Sequence, residues 1–293
     1  MRETAFPRWQ FALTALFVLA DALYLPASPH ALWLALPAAG LIVWPLLWLA
    51  CRVFRGHDPL AGSRMWSRLL AALLAVLAMY AALGSALRLV AFWHRTTFPL
   101  LPTIVSFVLL VAAGMRLARA GTVHLTMWAL PTLIAVLVPL ALSLLLTAHD
   151  WRVSELLPLL PAHGFGKLVV LCLRDVYLPA CFPFLLLLGR EKPGKAAASG
   201  VLFASVVLSA TAARNLMLLG AGTASRIPYP TFASAGLVAV GDFFQRGEAL
   251  IAGCLTLCEL ARLAVLFLVA ARGLRTAFLG FEHLLKHKKQ LSR

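Results

Sequence analysis

The chain has 293 residues, of which 62% are hydrophobic and only 13% are charged, and its formal net charge is +15. A soluble domain carries about 25% charged residues, so this composition excludes a soluble protein and indicates a polytopic membrane protein. The basic residues do not form the stripe with interleaved aromatic side chains that is typical of nucleic-acid binding, so we expect no nucleic-acid partner.

Eight apolar windows are long enough to cross a bilayer. They lie at about residues 9–25, 31–51, 69–92, 100–115, 125–148, 167–188, 196–220 and 249–271. The first window follows an Arg-bearing start, as a signal peptide does, but Asp21 and Pro26 interrupt it and a second window follows closely. We therefore expect a membrane helix there rather than a cleaved peptide. The sequence predicts an all-α protein of about eight transmembrane helices, in a single transmembrane domain that covers residues 1–293.

Lysine and arginine are concentrated on one side of these windows. If the N-terminus is cytoplasmic, 17 of the 26 Lys and Arg fall on the inside, namely Arg2, Arg8, Arg52, Arg55, Arg64, Arg68, Arg116, Arg119, Arg190, Lys192, Lys195, Arg272, Arg275, Lys286, Lys288, Lys289 and Arg293. The positive-inside rule then places both termini in the cytoplasm. The basic C-terminal tail, FEHLLKHKKQLSR, is expected to lie on the membrane surface, so membrane lipid is an expected partner.

The last apolar window carries Glu259 and Arg262 near its middle. A charged side chain at the centre of a bilayer costs roughly 2.5 to 3.5 kcal/mol on insertion scales, so these two side chains need partners or a function. They are three residues apart and share a helix face. Two interpretations remain open, an internal ion pair that fixes helix packing and a position in a ligand or ion pathway. Arg214, near the outer end of the seventh window, is expected to snorkel to the interface or to line an outer vestibule.

The first and sixth windows are interrupted. Asp21 lies in the first, and Arg174 and Asp175 break the sixth, with Pro179 and Pro183 beyond them. In transporters built from inverted repeats, interrupted helices at corresponding positions of the two halves point to a binding site at the bilayer midplane, and a five-helix repeat makes these two windows correspond. Their free N–H groups suit a carboxylate, and their free C=O groups suit an amine or a cation. The alternatives are a solvated helix end at Asp21 and a merely kinked sixth helix.

Three stretches resemble a known family: SELLPLLPAHGFGKLV, GREKPGKAAASGVLF and YPTFASAGLVAVGDFFQRGEALIAGCLTLCELARLAVLFLVA. They are similar to the permease-like subunit of nutrient germination receptors in endospore-forming bacteria, a family itself similar to amino acid/polyamine/organocation transporters. The third stretch is the most specific. It matches the family's Gly-acidic-Phe, Arg, Glu pattern at Gly241, Asp242, Phe243, Arg246 and Glu248, with Arg262 where a basic residue is common.

This resemblance implies a LeuT-like inverted-repeat fold of two five-helix repeats, in the bacterial cell membrane or the spore inner membrane. The subunit would bind a nutrient such as an amino acid and signal germination with two companion subunits, a membrane protein and a lipoprotein. The implied ligand-binding residues flank the two interruptions: Val18, Leu19, Ala20, Asp21, Ala22, Arg174, Asp175, Val176 and Tyr177. The implied structural or coupling charges are Asp242, Arg246, Glu248, Glu259 and Arg262.

The sequence departs from the family pattern in two places. Eight windows leave the second repeat without its last two helices, and the sixth window reads VYLP where the family tends to have a Pro-Phe-Gly-Glu run. Asp175 then replaces the family's carboxylate, or the ligand differs, or the chain is a divergent or decayed copy.

An alternative function is a secondary transporter of amino acids or polyamines, with Asp21, Asp175 or Glu259 as the coupling charge. We expect no cofactor beyond a coupling ion, H⁺ or Na⁺, and no metal site. An enzyme is disfavoured because no nucleophile with a base and no metal-ligand spacing is found.

Overall fold

The computed structural model describes residues 7–25, 31–53, 65–157, 164–188, 195–237 and 247–291, with side chains through residue 278. These ranges contain ten α-helices and no strand. The helices are α1 (Pro7–Leu19), α2 (Leu32–Val53), α3 (Met65–Thr96), α4 (Thr103–Arg119), α5 (Gly121–Leu146), α6 (Phe165–Cys172), α7 (Cys181–Leu188), α8 (Lys195–Ala224), α9 (Pro230–Gly236) and α10 (Gly247–Leu291).

Several of these helices have the length and apolar character of membrane spans. Among the described residues, α2, α3, α5, α8 and α10 each qualify, and a sixth span results if α6 and α7, which meet at a bend of 45°, are taken as one. Large apolar side chains also cover the outside of the bundle, among them Leu73, Ile104, Leu109, Ile134 and Val138. The chain is a polytopic helical membrane protein. The inverted-repeat arrangement and the extent of the single domain stay predictions.

Two of the helices are interrupted where the sequence predicts it. After α1, the chain tightens into a 3₁₀ turn at Ala20–Leu23. After α6, it widens into a π-helical turn at Leu173–Tyr177, closed by a bond of 2.8 Å from the Leu178 N–H to the Leu173 carbonyl. Pro179 has no N–H to continue the helical ladder, which is why regular helix resumes only at α7.

Helix α10 lies at the centre of the bundle, where it contacts α1, α3, α4, α5, α7 and α9. Its most extensive contact is with α3, through fully buried alanines that share one face of that helix: Ala71, Ala75, Ala78, Ala82 and Ala86. Small residues let two helix backbones approach closely. A Cβ on Gly273 of α10 would lie only 2.5 Å from the Ala71 carbonyl oxygen. The α3–α10 contact is therefore backbone against backbone at this level.

Helix α8 fixes the positions of both interrupted segments through α1 and α2. Gly200 of α8 faces Thr14 and the Phe11 carbonyl so closely that a Cβ there would collide with both. The Thr14 hydroxyl donates a hydrogen bond of 2.8 Å to the Ala197 carbonyl of α8. The Tyr177 hydroxyl in the π turn donates one of 2.8 Å to the Leu36 carbonyl of α2. These contacts hold the interrupted segments at the depth where the charged residues of α10 lie.

Candidate functional site: a buried charge cluster beside a cavity

A buried ion pair joins α10 to the end of α1. The Arg262 guanidinium donates two hydrogen bonds to Asp21, of 2.8 Å from Nη1 to Oδ1 and of 2.6 Å from Nη2 to Oδ2. Only 6% of Asp21 and 3% of Arg262 are exposed. This bidentate geometry is the strongest arrangement available to a guanidinium and a carboxylate. The alternative in which Asp21 is a solvated helix end is therefore wrong, because a cation on another helix neutralises its charge.

The same guanidinium also satisfies the backbone of the interrupted first helix. Its Nε and Nη2 donate to the Phe17 carbonyl oxygen at 3.1 and 2.8 Å, and its Cζ lies 5.1 Å from the centre of the Phe17 ring. Carbonyls at a helix C-terminus lack partners further along the helix and carry partial negative charge, so a cation is favourable there. Arg262 thus stabilises the end of α1, where the chain changes to a 3₁₀ turn at Ala20.

Glu259 is a second carboxylate beside this guanidinium. It is fully buried, and its Oε2 accepts a hydrogen bond of 2.8 Å from Ser85 Oγ on α3. Its Oε1 lies 3.6 Å from Arg262 Nη1 and has no hydrogen-bond partner among the described residues. Of the two sequence interpretations, the internal pair is present, but Asp21 is the closer partner of Arg262. Two carboxylates therefore share one guanidinium, and the cluster joins α1, α3 and α10.

A cavity of about 730 Å³ borders this cluster and opens beside it. It lies between α3, α10, the end of α1 and the chain around α7. Most of its wall is apolar, and polar side chains line it at Tyr80, Ser85, Arg88, Asp175, Cys181 and Arg262. An apolar pocket with a few polar groups is the usual form of a small-molecule site. We call this space the charged cavity.

The charged cavity has both signs of charge in its wall. The Arg88 guanidinium lies 4.8 Å from the centre of the Tyr24 ring, a cation–π contact that holds it beside the 3₁₀ turn. Asp175, whose side chain is 51% exposed, accepts hydrogen bonds of 2.6 and 3.1 Å from the neighbouring Arg174. A small molecule that carries a carboxylate and an ammonium group can meet a complementary charge for each of them in this wall.

The nine predicted ligand-binding residues lie in three different environments: the cavity lining, the packed core and the exposed surface. Asp175 lines the charged cavity. Val18, Leu19, Ala20, Asp21 and Ala22 are buried in the packed core beside it, and Val176 and Tyr177 are buried against neighbouring helices. The Arg174 side chain is 68% exposed and lies outside the lining. Phe17, Ser85, Arg88 and Arg262 line the cavity but were not assigned to ligand binding from the sequence, because only the fold brings α3 and α10 beside the two interruptions.

The comparison with protein families decides the family to which the chain belongs. The model of a family described as "Spore germination protein", a spore permease family, matches residues 33–285. The chain belongs to this spore germination protein family. The match covers most of the chain and includes α2 through the charged part of α10, so the resemblance seen in the sequence is confirmed. Among curated proteins, none matches the chain.

Arg214 of this spore germination protein has a different position from the one expected. It is fully buried, although the sequence predicted a side chain that snorkels or lines a vestibule. Its guanidinium donates to Ser143 Oγ and Ser234 Oγ at 2.5 Å each, to Asn215 Oδ1 at 3.1 Å and to the Thr231 carbonyl at 3.3 Å. The expectation was wrong because four neutral oxygens from α5, α8 and α9 replace water as its partners.

Four residues of the family pattern, Gly241, Asp242, Phe243 and Arg246, lie outside the described residues. Glu248 is described and lies in the first turn of α10. Its Oε2 lies so near Gly236, at the end of α9, that a Cβ there would be 2.6 Å away. A carboxylate in the first turn of a helix interacts favourably with the helix dipole. In the described residues, no three His, Cys, Asp or Glu side chains come together as metal ligands do.

Proposed function

We propose that the protein is a nutrient germinant receptor subunit that binds a small zwitterion, such as an amino acid, in the charged cavity. One observation carries the proposal: in a spore germination protein, a cavity with guanidinium and carboxylate groups in its wall lies between the two interrupted segments. Arg88 receives the carboxylate of the nutrient, and Asp175 receives its ammonium group. The apolar wall accommodates the nutrient side chain.

The binding groups belong to different elements, and this supports a sensing role. Arg88 is on α3, and Asp175 is in the π turn after α6. A nutrient that contacts both favours the arrangement in which they face one another and so shifts the population of conformations. Two companion subunits, a membrane protein and a lipoprotein, receive this change in the spore inner membrane. Both termini of the chain are cytoplasmic in this proposal.

The alternative proposal is a secondary transporter of amino acids or polyamines that is coupled to H⁺ or Na⁺. The observation that favours it is the pair of buried carboxylates, Asp21 and Glu259, that share the single guanidinium of Arg262. Intramembrane acids of this kind are frequent in proton relays and ion pathways. In this alternative, Glu259 exchanges the ion while Asp21 stays paired.

The first experiment is nutrient-triggered germination of spores in which this gene is deleted and then restored in wild-type or variant form. A panel of amino acids, sugars and nucleosides identifies the nutrient class whose response is lost on deletion. We expect Arg88→Gln and Asp175→Asn to raise the half-saturating nutrient concentration about tenfold to a hundredfold, since each removes one charge-assisted hydrogen bond.

The matched controls are Arg95→Gln, one exposed arginine further along α3, and Asp150→Asn, an exposed carboxylate outside the cavity. Both should respond as wild type does. A deletion that leaves every response intact, or cavity variants that match their controls, would refute nutrient sensing at this cavity.

Flux into proteoliposomes separates the two proposals. The purified protein is reconstituted, and uptake of the identified nutrient is measured with and without a pH or sodium gradient. Saturable binding without gradient-driven uptake supports the receptor. Accumulation that requires the gradient, and that Glu259→Gln abolishes, supports the transporter.

A further inference from the structure

A second cavity, of about 590 Å³, lies near the turn where α4 ends and α5 begins. Its lining contains three arginines, Arg119, Arg272 and Arg275, and no aspartate or glutamate. The rest of the wall is almost entirely apolar and comes from α3, α4, the start of α5 and α10, with Met79, Val111, Met115, Phe267 and Leu274 among its larger members. We call this space the arginine cleft.

The arginine cleft has its charge at one end and its apolar wall along the helices. Val111 and Arg119 are eight residues apart on α4, as are Phe267 and Arg275 on α10, and both pairs line the cleft. Eight residues of α-helix rise about 12 Å. The hydrocarbon core of a bilayer is about 30 Å thick, so the cleft has the depth of most of one leaflet.

One arginine is fixed and the other two lie at the surface. Arg272 donates a hydrogen bond of 2.6 Å to Thr122 Oγ1 and one of 3.4 Å to the Leu186 carbonyl, which sets the position of its guanidinium. Arg119, in the last turn of α4, and Arg275 are exposed. Helix α5 begins at Gly121 without a side-chain cap, so the positive end of its dipole adds to this field.

We propose that the arginine cleft binds an anionic phospholipid from the cytoplasmic leaflet. The phosphate of the headgroup contacts Arg119, Arg272 and Arg275, and an acyl chain lies along Met115 and Phe267. Basic pockets between transmembrane helices recognise acidic lipid headgroups in this way. The lysine and arginine bias predicts that this end of the bundle is cytoplasmic, where acidic lipids carry the negative surface potential.

The apolar wall identifies a lipid as the occupant rather than a soluble anion or a peptide. Met79, Met115 and Leu274 are between 40% and 46% exposed at the sides of the cleft. Inorganic phosphate would leave this surface uncovered, and the wall offers few partners for a peptide backbone, whose polar groups need them at membrane depth. An acyl chain has no such need.

Native mass spectrometry of the full chain in a neutral detergent tests the proposal. The protein is titrated with palmitoyl-oleoyl phosphatidylglycerol and, separately, with the phosphatidylcholine of the same acyl chains. We expect one site that prefers phosphatidylglycerol by at least about tenfold. Arg119→Gln and Arg275→Gln should each weaken phosphatidylglycerol binding about fivefold and weaken phosphatidylcholine binding less, because the choline cation already offsets the phosphate charge of that lipid. Arg272 is left in place because it also binds Thr122 and the Leu186 carbonyl.

Arg116→Gln is the matched control, since it removes an exposed arginine in the same last turn of α4 but outside the cleft. It should retain the wild-type preference. A second variant, Met115→Trp, fills the cleft and should lower the binding of both lipids, with helix content checked by circular dichroism. Three results would overturn the proposal: equal binding of the two lipids by wild type, an Arg116→Gln loss as large as that of the cleft variants, or displacement of phosphatidylglycerol by millimolar inorganic phosphate. The wild-type comparison decides even if a variant does not fold.

Discussion

Arg262 and Asp21, separated by 241 positions in the sequence, are joined by two hydrogen bonds of 2.6 and 2.8 Å in the interior of the bundle. The same guanidinium also donates hydrogen bonds to the Phe17 carbonyl oxygen near the end of α1. One residue of α10 thus neutralises the acid of the first interruption and supplies the missing backbone partner. The predictions below start from this pair.

Asp21→Asn should lower the free energy of unfolding by about 3 to 5 kcal/mol, because it removes the closer of the two carboxylates that neutralise the buried Arg262 guanidinium and leaves only Glu259 at 3.6 Å. Arg262→Gln should have a comparable effect, and the double variant should lose less than the sum of the two. Tryptophan fluorescence during denaturant unfolding in detergent measures all three. Asp150→Asn, at an exposed carboxylate, is the control. Additive losses would show that the two side chains do not stabilise each other directly.

Glu259→Gln should cost clearly less than Asp21→Asn, at about 1 kcal/mol or below. Glutamine keeps an oxygen that accepts the Ser85 hydrogen bond, and Arg262 keeps its closer partner, so only the longer contact of 3.6 Å is lost. The same unfolding measurement compares the two variants. If Glu259→Gln is as damaging as Asp21→Asn, the guanidinium depends on both carboxylates equally.

Arg214→Lys should lower the free energy of unfolding by about 1.5 to 3 kcal/mol despite keeping the charge. The guanidinium fork reaches Ser143 on one side and Ser234 on the other, and a single ammonium group cannot replace both contacts. The thermal midpoint in detergent reports the loss. Arg226→Lys, at an exposed arginine on the turn after α8, should unfold as wild type does. An unchanged midpoint for Arg214→Lys would contradict the fork geometry.

Gly273→Ala should destabilise the protein by about 1 to 3 kcal/mol, because the added methyl group meets the Ala71 carbonyl, which cannot move without displacing α3. Gly253→Ala is the matched control on the same helix. A Cβ at Gly253 meets no atom within 4 Å, so alanine there should be neutral or stabilise by up to about 1 kcal/mol through its higher helix propensity. The midpoints of chemical unfolding compare the two. Similar values would indicate that α3 and α10 do not touch at Gly273.

The membrane class and the two interruptions could be predicted from local sequence. Polar residues and prolines within an apolar window have a local consequence, and the 3₁₀ turn at Asp21 and the π turn at Arg174 and Asp175 follow it. Charge at the centre of a span also has a local cost, so Glu259 and Arg262 were expected to face inward. The partner of Arg262 was not predictable, because the period of a helix does not say which other helix faces it.

The partners of Arg214 were even harder to predict from local sequence. Its partners Ser143, Thr231 and Ser234 are neutral residues on α5 and α9, and none of them stands out in an apolar segment. An arginine near the end of a window is ordinarily solvated at the interface, so the local pattern indicated the wrong environment. The lining of the charged cavity by Ser85 and Arg88 was missed for a related reason, since α3 carries no interruption of its own.

The contact between α3 and α10 divides two chambers. Tyr80 and Leu266 line the charged cavity, while their immediate neighbours Met79 and Phe267 line the arginine cleft. Successive helix residues point about 100° apart, so the two spaces lie on either side of one thin partition. Rotation of α10 about its axis cannot reshape one chamber and leave the other unchanged. If nutrient and lipid each favour a different rotation, each lowers the affinity of the protein for the other by the same factor. The lipid composition of the membrane then sets the nutrient concentration at which the protein responds.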